Sequence, residues 1–494
     1  MHENNEQRFG IVGGLGTLGA ADILFKLVKA MPAENGQDQT EIIFEQHPFK
    51  EPESPGSQAA SQNSRKLYVF DMLRAFEARK LGAAILPCFI SHTFLDELRS
   101  EIQLPIVSIM DAICKHVARR HAGVRRIGVL TSDYVRSRKL FERHFQANNW
   151  ELVYPSDGIQ ANCLMAAIYG ASGLKGGNVQ GQSVDLLARA CEDLLAQGAE
   201  IIVPGFAEIP LVIDALVERK IPILDSNQIY ARFAASAQAT PPLGQFKIGV
   251  VGGVGPAATV DFMGKIVRNT PAKLDQDHVK ILVEHNPQIP DRTENLIGDG
   301  ADPTIAIYST CKKLEAGDAN IIAIPCNTAH AFVERVQPYL SIPIVNMLFE
   351  TVAYIKATYP EVHTVGLLAT DGTIKSNVYG DMLSDAGLNL LVPDALNQQL
   401  VMHAIYGAQG VKAGFVEGEC KLDLLKALSS LAQRGAAVII LGCTELPLLL
   451  EQSEAFPIGE QTVVVLDPTD ILAKKCVSLC TSHFNPCAAT ANSP

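Results

Sequence analysis

GIVGGLG, Gly10 to Gly16, returns as GVVGGVG, Gly249 to Gly255, a displacement of 239 positions. Each is a short apolar run ending in glycines, the pattern of a buried strand that breaks into a tight turn before a helix. The echo continues outward. Asp22 and Lys26 answer Asp261 and Lys265, and ILPCFISH (Ile85 to His92) answers AIPCNTAH (Ala323 to His330) at a displacement of 238. Farther on, AAIYGASGLKGG (Ala166 to Gly177) and VPGFAEIP (Val203 to Pro210) answer HAIYGAQGVKAG (His403 to Gly414) and ILGCTELP (Ile440 to Pro447) at 237. A register held over such a length makes the chain a tandem duplication. Ala234 to Gly244 is small, polar and proline-containing, as linkers are. The expected units are therefore residues 1–242 and 243–475, followed by a C-terminal tail at 476–494.

In the second copy, KIGVVGG, VKILVEH, NIIAIPC, IPIVNM, TVGLLAT and AAVIILGC are continuous apolar runs separated by longer helix-like stretches. Strands of that kind are buried on both faces, which predicts a parallel sheet flanked by helices, an α/β fold. Several end in Gly, Asn, Cys or Thr, and ligands of open α/β sheets bind at the carboxyl ends of the strands.

The 494 residues exceed one hydrophobic core. With 47% hydrophobic and 19% charged residues and no run long enough to span a bilayer, a membrane protein and a disordered chain are both excluded expectations. The net charge of −12, with no basic cluster standing out, argues against nucleic acid as a partner. The polar start MHENNEQRF has no signal-peptide character, and 11 cysteines without a CxxC pair or a metal-ligand spacing fit a reducing cytoplasm, with no metal site.

Gly14, Gly16 and Gly19 match the GxGxxG spacing of dinucleotide binders, but no acidic residue closes a strand at the expected distance beyond. The glycine turn of the second copy reads either as ordinary turn geometry or as backbone N–H groups, around Gly253 and Gly255, turned toward a carboxylate. Cys326 and Cys443 end equivalent strands and are followed by Asn327, Thr328, Thr444 and Glu445. Donors and acceptors beside a thiol mark a sheet mouth better than they mark a packed core.

The PCNT segment at Cys326 and the GCT segment at Cys443, 117 positions later, resemble the aspartate/glutamate racemase family, whose members work without pyridoxal phosphate. The resemblance covers the whole second copy and, more weakly, the first. GGVGP at 252–256, Glu445 after Thr444, NPQIPDR (Asn286 to Arg292) and GVKAG (Gly410 to Gly414) are similar to the aspartate branch. The resemblance implies two pseudo-symmetric α/β lobes per copy, with Arg292 and Cys326 from one lobe and Lys412 and Cys443 from the other. It also implies racemisation of aspartate, with extension to glutamate or other amino acids, and no cofactor.

Inverting Cα requires removing a proton from one face and returning one to the other, which two flanking thiols can do. Asn327, Thr328 and Thr444 are candidates for the α-carboxylate, and Arg292 with Lys412 for the side-chain carboxylate of an acidic amino acid. Thr370 and Thr373 belong to a weaker binding turn. Glu445 orients either a partner or the substrate ammonium, and His330 reads as a packed helix residue.

The first copy departs from this pattern. Cys88 matches Cys326, but Phe206 replaces Cys443, Phe89 and Ile90 replace Asn327 and Thr328, and no arginine stands in register with Arg292, though Lys50 lies nearby. This copy is expected to be catalytically inactive and to serve as a built-in partner in an intramolecular pseudo-dimer, with homo-oligomers also open. The competing readings are a non-catalytic protein that binds an acidic amino acid and another isomerase, hydantoin racemase or decarboxylase of the same superfamily.

Overall fold

A computed structural model describes residues 8–31, 41–49, 58–145, 149–236 and 246–484. The chain forms two compact units, Met1–Gly244 and Gln245–Pro494.

The first unit holds two parallel sheets. Strands β1 (Arg8–Val12), β2 (Glu41–Glu45), β3 (Ala83–Ile85) and β4 (Ile106–Val107) are ordered β2-β1-β3-β4. Strands β5 (Arg126–Leu130), β6 (Glu151–Val153) and β7 (Ile201–Pro204) are ordered β6-β5-β7. Ile11, Ile85, Val129 and Val203 are fully buried, as expected of sheets covered by helices on both faces.

The second unit repeats the plan. Strands β8 (Lys247–Gly252), β9 (Lys280–His285), β10 (Ile321–Ala323) and β11 (Ile344–Val345) form a parallel sheet ordered β11-β10-β8-β9. Strands β12 (Thr364–Leu368), β13 (Asn389–Leu391), β14 (Val438–Leu441), β15 (Ser453–Ile458) and β16 (Gln461–Leu466) are ordered β13-β12-β14-β16-β15. All six apolar runs read from the sequence contain strands. The β15–β16 hairpin adds an antiparallel edge that they do not announce.

The strand order positions the site. In the first of these sheets the chain leaves β8 to one side for β9 and to the other for β10; in the second it leaves β12 for β13 and β14 in the same divided way. Such a reversal opens a crevice at the carboxyl ends of the two central strands. Val254 follows β8 and Cys326 follows β10, while Thr370 follows β12 and Cys443 follows β14.

One terminal boundary is corrected. The helix Pro468–Phe484 runs through the position set for a tail, because Leu472, Cys476, Val477 and Cys480 pack with Ile248 and Ala323 of the first sheet. Ala234 to Ser236 close the helix Ser226–Ser236, and the rest of the expected linker lies outside the described residues.

Lys265 is buried and ion-paired with Asp261, one turn back on the helix Pro256–Asn269, and with Asp467. It also donates to Thr469 Oγ1 at 2.6 Å. The first helix of the unit is thereby tied to the start of its last. Lys26 repeats the device in the first unit, 2.7 Å from Asp22 and 2.9 Å from Asp225.

Candidate active site

Cys326 and Cys443 line one cavity of about 10 Å³, each 7% exposed. That is room for about one water molecule. Arg292, Asn327, Thr328, Thr370, Lys412, Thr444 and Glu445 line the same cavity, so residues following both sheets of the second unit meet there. Gly442, just before Cys443, is closely packed, since a Cβ there would lie 2.5 Å from Leu367 Cδ1 and 2.9 Å from Ala369 Cβ. Its N–H donates to the Leu368 carbonyl at 2.7 Å and holds the strand end in place.

Cys443 Sγ donates to Glu445 Oε2 at 3.1 Å, and Lys412 Nζ donates to Glu445 Oε1 at 2.6 Å. Burial, with the Glu445 carboxylate beside it, pushes the Cys443 thiol well above its ordinary value. Burial alone would lower Lys412, but Glu445 and Cys443 outweigh it and hold the ammonium above its usual range. This thiol is therefore kept protonated on a carboxylate whose charge is already paired.

Across the cavity, Arg292 begins the helix Arg292–Ile297 and is buried. Its Nη1 donates to the carbonyls of Ile289 and Pro290 at 3.2 and 3.1 Å. Burial works against its charge, yet Cys326, Asp291 and Tyr406 raise it net. Arg292 Nε and Asn327 Nδ2 are buried without a hydrogen-bond partner, while Asn327 Oδ1 accepts from the Tyr379 hydroxyl at 2.7 Å. Orphaned donors on a cavity wall cost stability unless an acceptor arrives.

Four hydroxyls interlock beside them. Thr328 Oγ1 lies 2.7 Å from Thr373 Oγ1 and 3.3 Å from Thr370 Oγ1, and Thr293 Oγ1 donates to Thr370 Oγ1 at 3.2 Å. Thr373 acts through this mesh and not on the cavity wall.

Two expectations change. Gly253 donates its N–H to Thr259 Oγ1 at 3.1 Å, so that group is not turned toward a ligand, and neither Gly253 nor Gly255 lines the cavity. Both glycines are steric requirements instead. At Gly253, φ +86°, a Cβ would lie 2.4 Å from the Asn286 carbonyl carbon; at Gly255, φ +109°, it would lie 2.5 Å from Glu445 Oε1. His330 is a packing residue, as read. Its Nε2 accepts from the Met347 N–H at 3.1 Å, so Nδ1 carries the proton to the Cys326 carbonyl at 2.9 Å, and burial lowers it to about 4.

Val254, Thr293 and Tyr406 also line the cavity and were not singled out. Tyr406 had a signal, since it stands in the repeated IYG segment with Tyr169 as its counterpart. Lys412 Nζ lies 5.5 Å from the Tyr406 ring centroid, and burial raises the phenol to about 12.

The corresponding crevice of the first unit keeps half of this. Lys175 Nζ lies 3.8 Å from Glu208 and 5.0 Å from the Tyr169 ring centroid, repeating the Lys412, Glu445 and Tyr406 group. Phe206, Phe89 and Ile90 line a cavity of about 30 Å³ with Cys88. Arg65, 1% exposed, donates Nη1 to Cys88 Sγ at 3.3 Å. An arginine thus meets the first cysteine in this unit too, from a helix that the register with Arg292 does not reach. Lys50 lies outside the described residues.

The Asp/Glu/hydantoin racemase family profile matches the chain twice, over residues 12–234 and 251–476. The chain belongs to this family. Among its relatives, the broad specificity amino-acid racemase RacX of Bacillus subtilis is 28% identical over 237 residues, 47% of this chain and 96% of that one. A glutamate racemase of Shewanella woodyi is 30% identical over 33% of this chain and 57% of its own length. The Picrophilus torridus aspartate racemase structure is similar over 48% of this chain and 94% of its own, with 29% identity and a TM-score of 0.41. A double match is what a racemase-family tandem requires. Among the described residues of this family member, no helix is long and apolar enough to cross a membrane.

Proposed function

We propose that the second unit racemises an acidic amino acid, aspartate first, by a cofactor-independent exchange of protons between Cys326, Cys443 and the substrate Cα. The observation that carries this reading is the pair of cysteines lining one cavity, with an arginine beside one and a carboxylate-lysine pair beside the other. In one direction the Cys326 thiolate takes the Cα proton, the electron pair moves toward the α-carboxylate, and the Cys443 S–H delivers a proton to the opposite face. The enzyme is left with Cys326 as thiol and Cys443 as thiolate. The reverse reaction restores the first state. Lys412, already on Glu445, offsets the charge that Cys443 then carries.

The α-carboxylate is assigned to Asn327 Nδ2 with the Thr328 and Thr444 hydroxyls, donors that can strengthen as negative charge develops. Arg292 Nε is assigned to the side-chain carboxylate. GGVGP at 252–256 and Glu445 after Thr444 support aspartate over glutamate. The cavity of about 10 Å³ supports a small substrate and requires the crevice to open for entry. A wider substrate range is the second reading, favoured by the likeness to RacX along nearly all of that protein.

Proton NMR of L- and D-aspartate in D2O, with chiral separation of the products and a panel of other amino acids alongside, tests both readings. Solvent deuterium at Cα with inversion, lost in Cys326→Ala and in Cys443→Ala, is the expected result. Exchange confined to residues other than aspartate would move substrate breadth ahead. No exchange with any amino acid would leave a binding protein.

A further inference from the structure

A second feature lies away from the crevice, in the first unit. The helices Ile109–Arg120 and Ser226–Ser236 pack side by side and wall a groove of about 1140 Å³. Lys115, Arg119 and Arg120 line it from the first helix, Arg232 from the second, and Arg99 from its end. The chain carries a net charge of −12, yet this groove holds five permanent cations against two carboxylates, Asp111 and Asp225. Asp225 is already paired with Lys26 at 2.9 Å.

The second unit shows what this surface looks like when it is neutral. In the register of the repeat, Lys115, Arg119 and Arg120 face Ala353, Ala357 and Thr358. Counting from the matched Asp225 and Asp467, Arg232 corresponds to Lys474 and Gln228 to Asp470. Lys474 is ion-paired with Asp470 at 2.8 Å, and Lys475 with Glu350 at 3.1 Å. The first unit has Gln228 and Ala112 where those two carboxylates stand. Relative to the second unit it carries more cations along these helices and lacks those two carboxylates, with Asp111 standing where the second unit has Phe349.

Arg119 and Arg120 sit in the last turn of their helix, where basic residues complement the dipole. That accounts for those two and not for Lys115 or Arg232. Lys115 Nζ lies 4.9 Å from the centroid of Phe233, which anchors it on the facing helix. His116 between them is pushed below its ordinary value by burial first and then by His121, Arg120 and Arg232, so cations from both walls act on this ring. Like charges that outnumber their counter-charges raise the energy of the fold unless an anion is held there.

We propose that this groove binds a small molecule carrying two or more phosphate groups. Lys115 and Arg119, one helical turn apart, contact one phosphate, and Arg232 on the opposite wall contacts the next. Guanidinium forks suit phosphate oxygens, and cations on both walls suit a ligand with separated charges.

Calorimetric titration of the full chain with sodium tripolyphosphate and, separately, with ADP tests this, with circular dichroism confirming the fold of each variant. One saturable site is expected, weakening steeply with salt. Arg119→Ala and Arg232→Ala should each weaken binding about tenfold, the worth of one lost charge-assisted contact. Gln228→Asp, which restores the carboxylate of the second unit, should weaken it similarly without removing any cation. Tighter ADP than tripolyphosphate identifies a nucleotide, and equal affinity a free or simply phosphorylated anion; both support the proposal. Absence of saturable binding, variants that bind like the parent, or tighter binding of a polyglutamate peptide or a short single-stranded RNA overturns it.

Discussion

At Cys443 burial and Glu445 keep the thiol protonated against the pull of Lys412. Replacing Glu445 by glutamine removes a negative charge 3.1 Å from the sulfur. The thiol should then ionise more easily, and the alkaline limb of the kcat/KM profile should move to lower pH by about one unit. An unmoved limb would detach Glu445 from the proton donor. His330 offers a second prediction. It is neutral in the fold, held to about 4 against an ordinary 6.5. Between those values the unfolded chain binds a proton that the folded one does not, so stability falls as pH drops through that window, by about 3 kcal/mol in all. In His330→Gln the denaturant midpoint should vary less between about pH 6.5 and 4. The two thiols were legible because they follow equivalent strands, Lys412 because GVKAG repeats, and Arg292, which has no counterpart in the first copy, from NPQIPDR; the structure brings all four to one cavity. The Gly253 amide was misassigned because its partner, Thr259, is reached by a helical turn that spacing alone does not reveal.

Among the elements, the helix Pro256–Asn269 is joined to the helix Pro468–Phe484 through Lys265, buried between Asp261 and Asp467. Lys265→Met would leave Asp467 in the core without its cation. Loss of about 3–5 kcal/mol in chemical unfolding is expected, the usual result of breaking a buried pair from one side. A loss below about 1 kcal/mol would mean that the pair is solvated as a surface bridge is. Asp261 and Lys265 were visible as repeated letters, but the second carboxylate on Lys265, Asp467, comes from the other end of the unit, which no local pattern shows. The strands of the parallel sheets were legible for the opposite reason, since continuous Val, Ile and Leu runs report burial on both faces. The hairpin Ser453–Leu466 was not, because its edge strand mixes exposed and half-buried residues. The basic groove escaped a linear reading in the same way, since Arg232 lies over a hundred residues beyond the other cations that line it.

Taken as a whole, the molecule carries two versions of one site, and only the second has both thiols. Cys88→Ala in the full chain should therefore leave racemisation unchanged while Cys326→Ala abolishes it, as read by α-deuterium incorporation. Activity lost in Cys88→Ala would give the first unit a share in the chemistry. The duplication and its divergence were legible from register alone. Arg65 beside Cys88 was not, since it reaches the cysteine without occupying the position that matches Arg292. The closed crevice of the second unit is also a sieve. The space of about 10 Å³ around Cys326 and Cys443 matches hydrogen peroxide, hardly larger than water, and not glutathione. Peroxide treatment of the unliganded chain is therefore expected to give sulfenic acid before any mixed disulfide with glutathione, and an amino acid seated in the gap to slow it, as mass spectrometry of the two cysteine peptides would show.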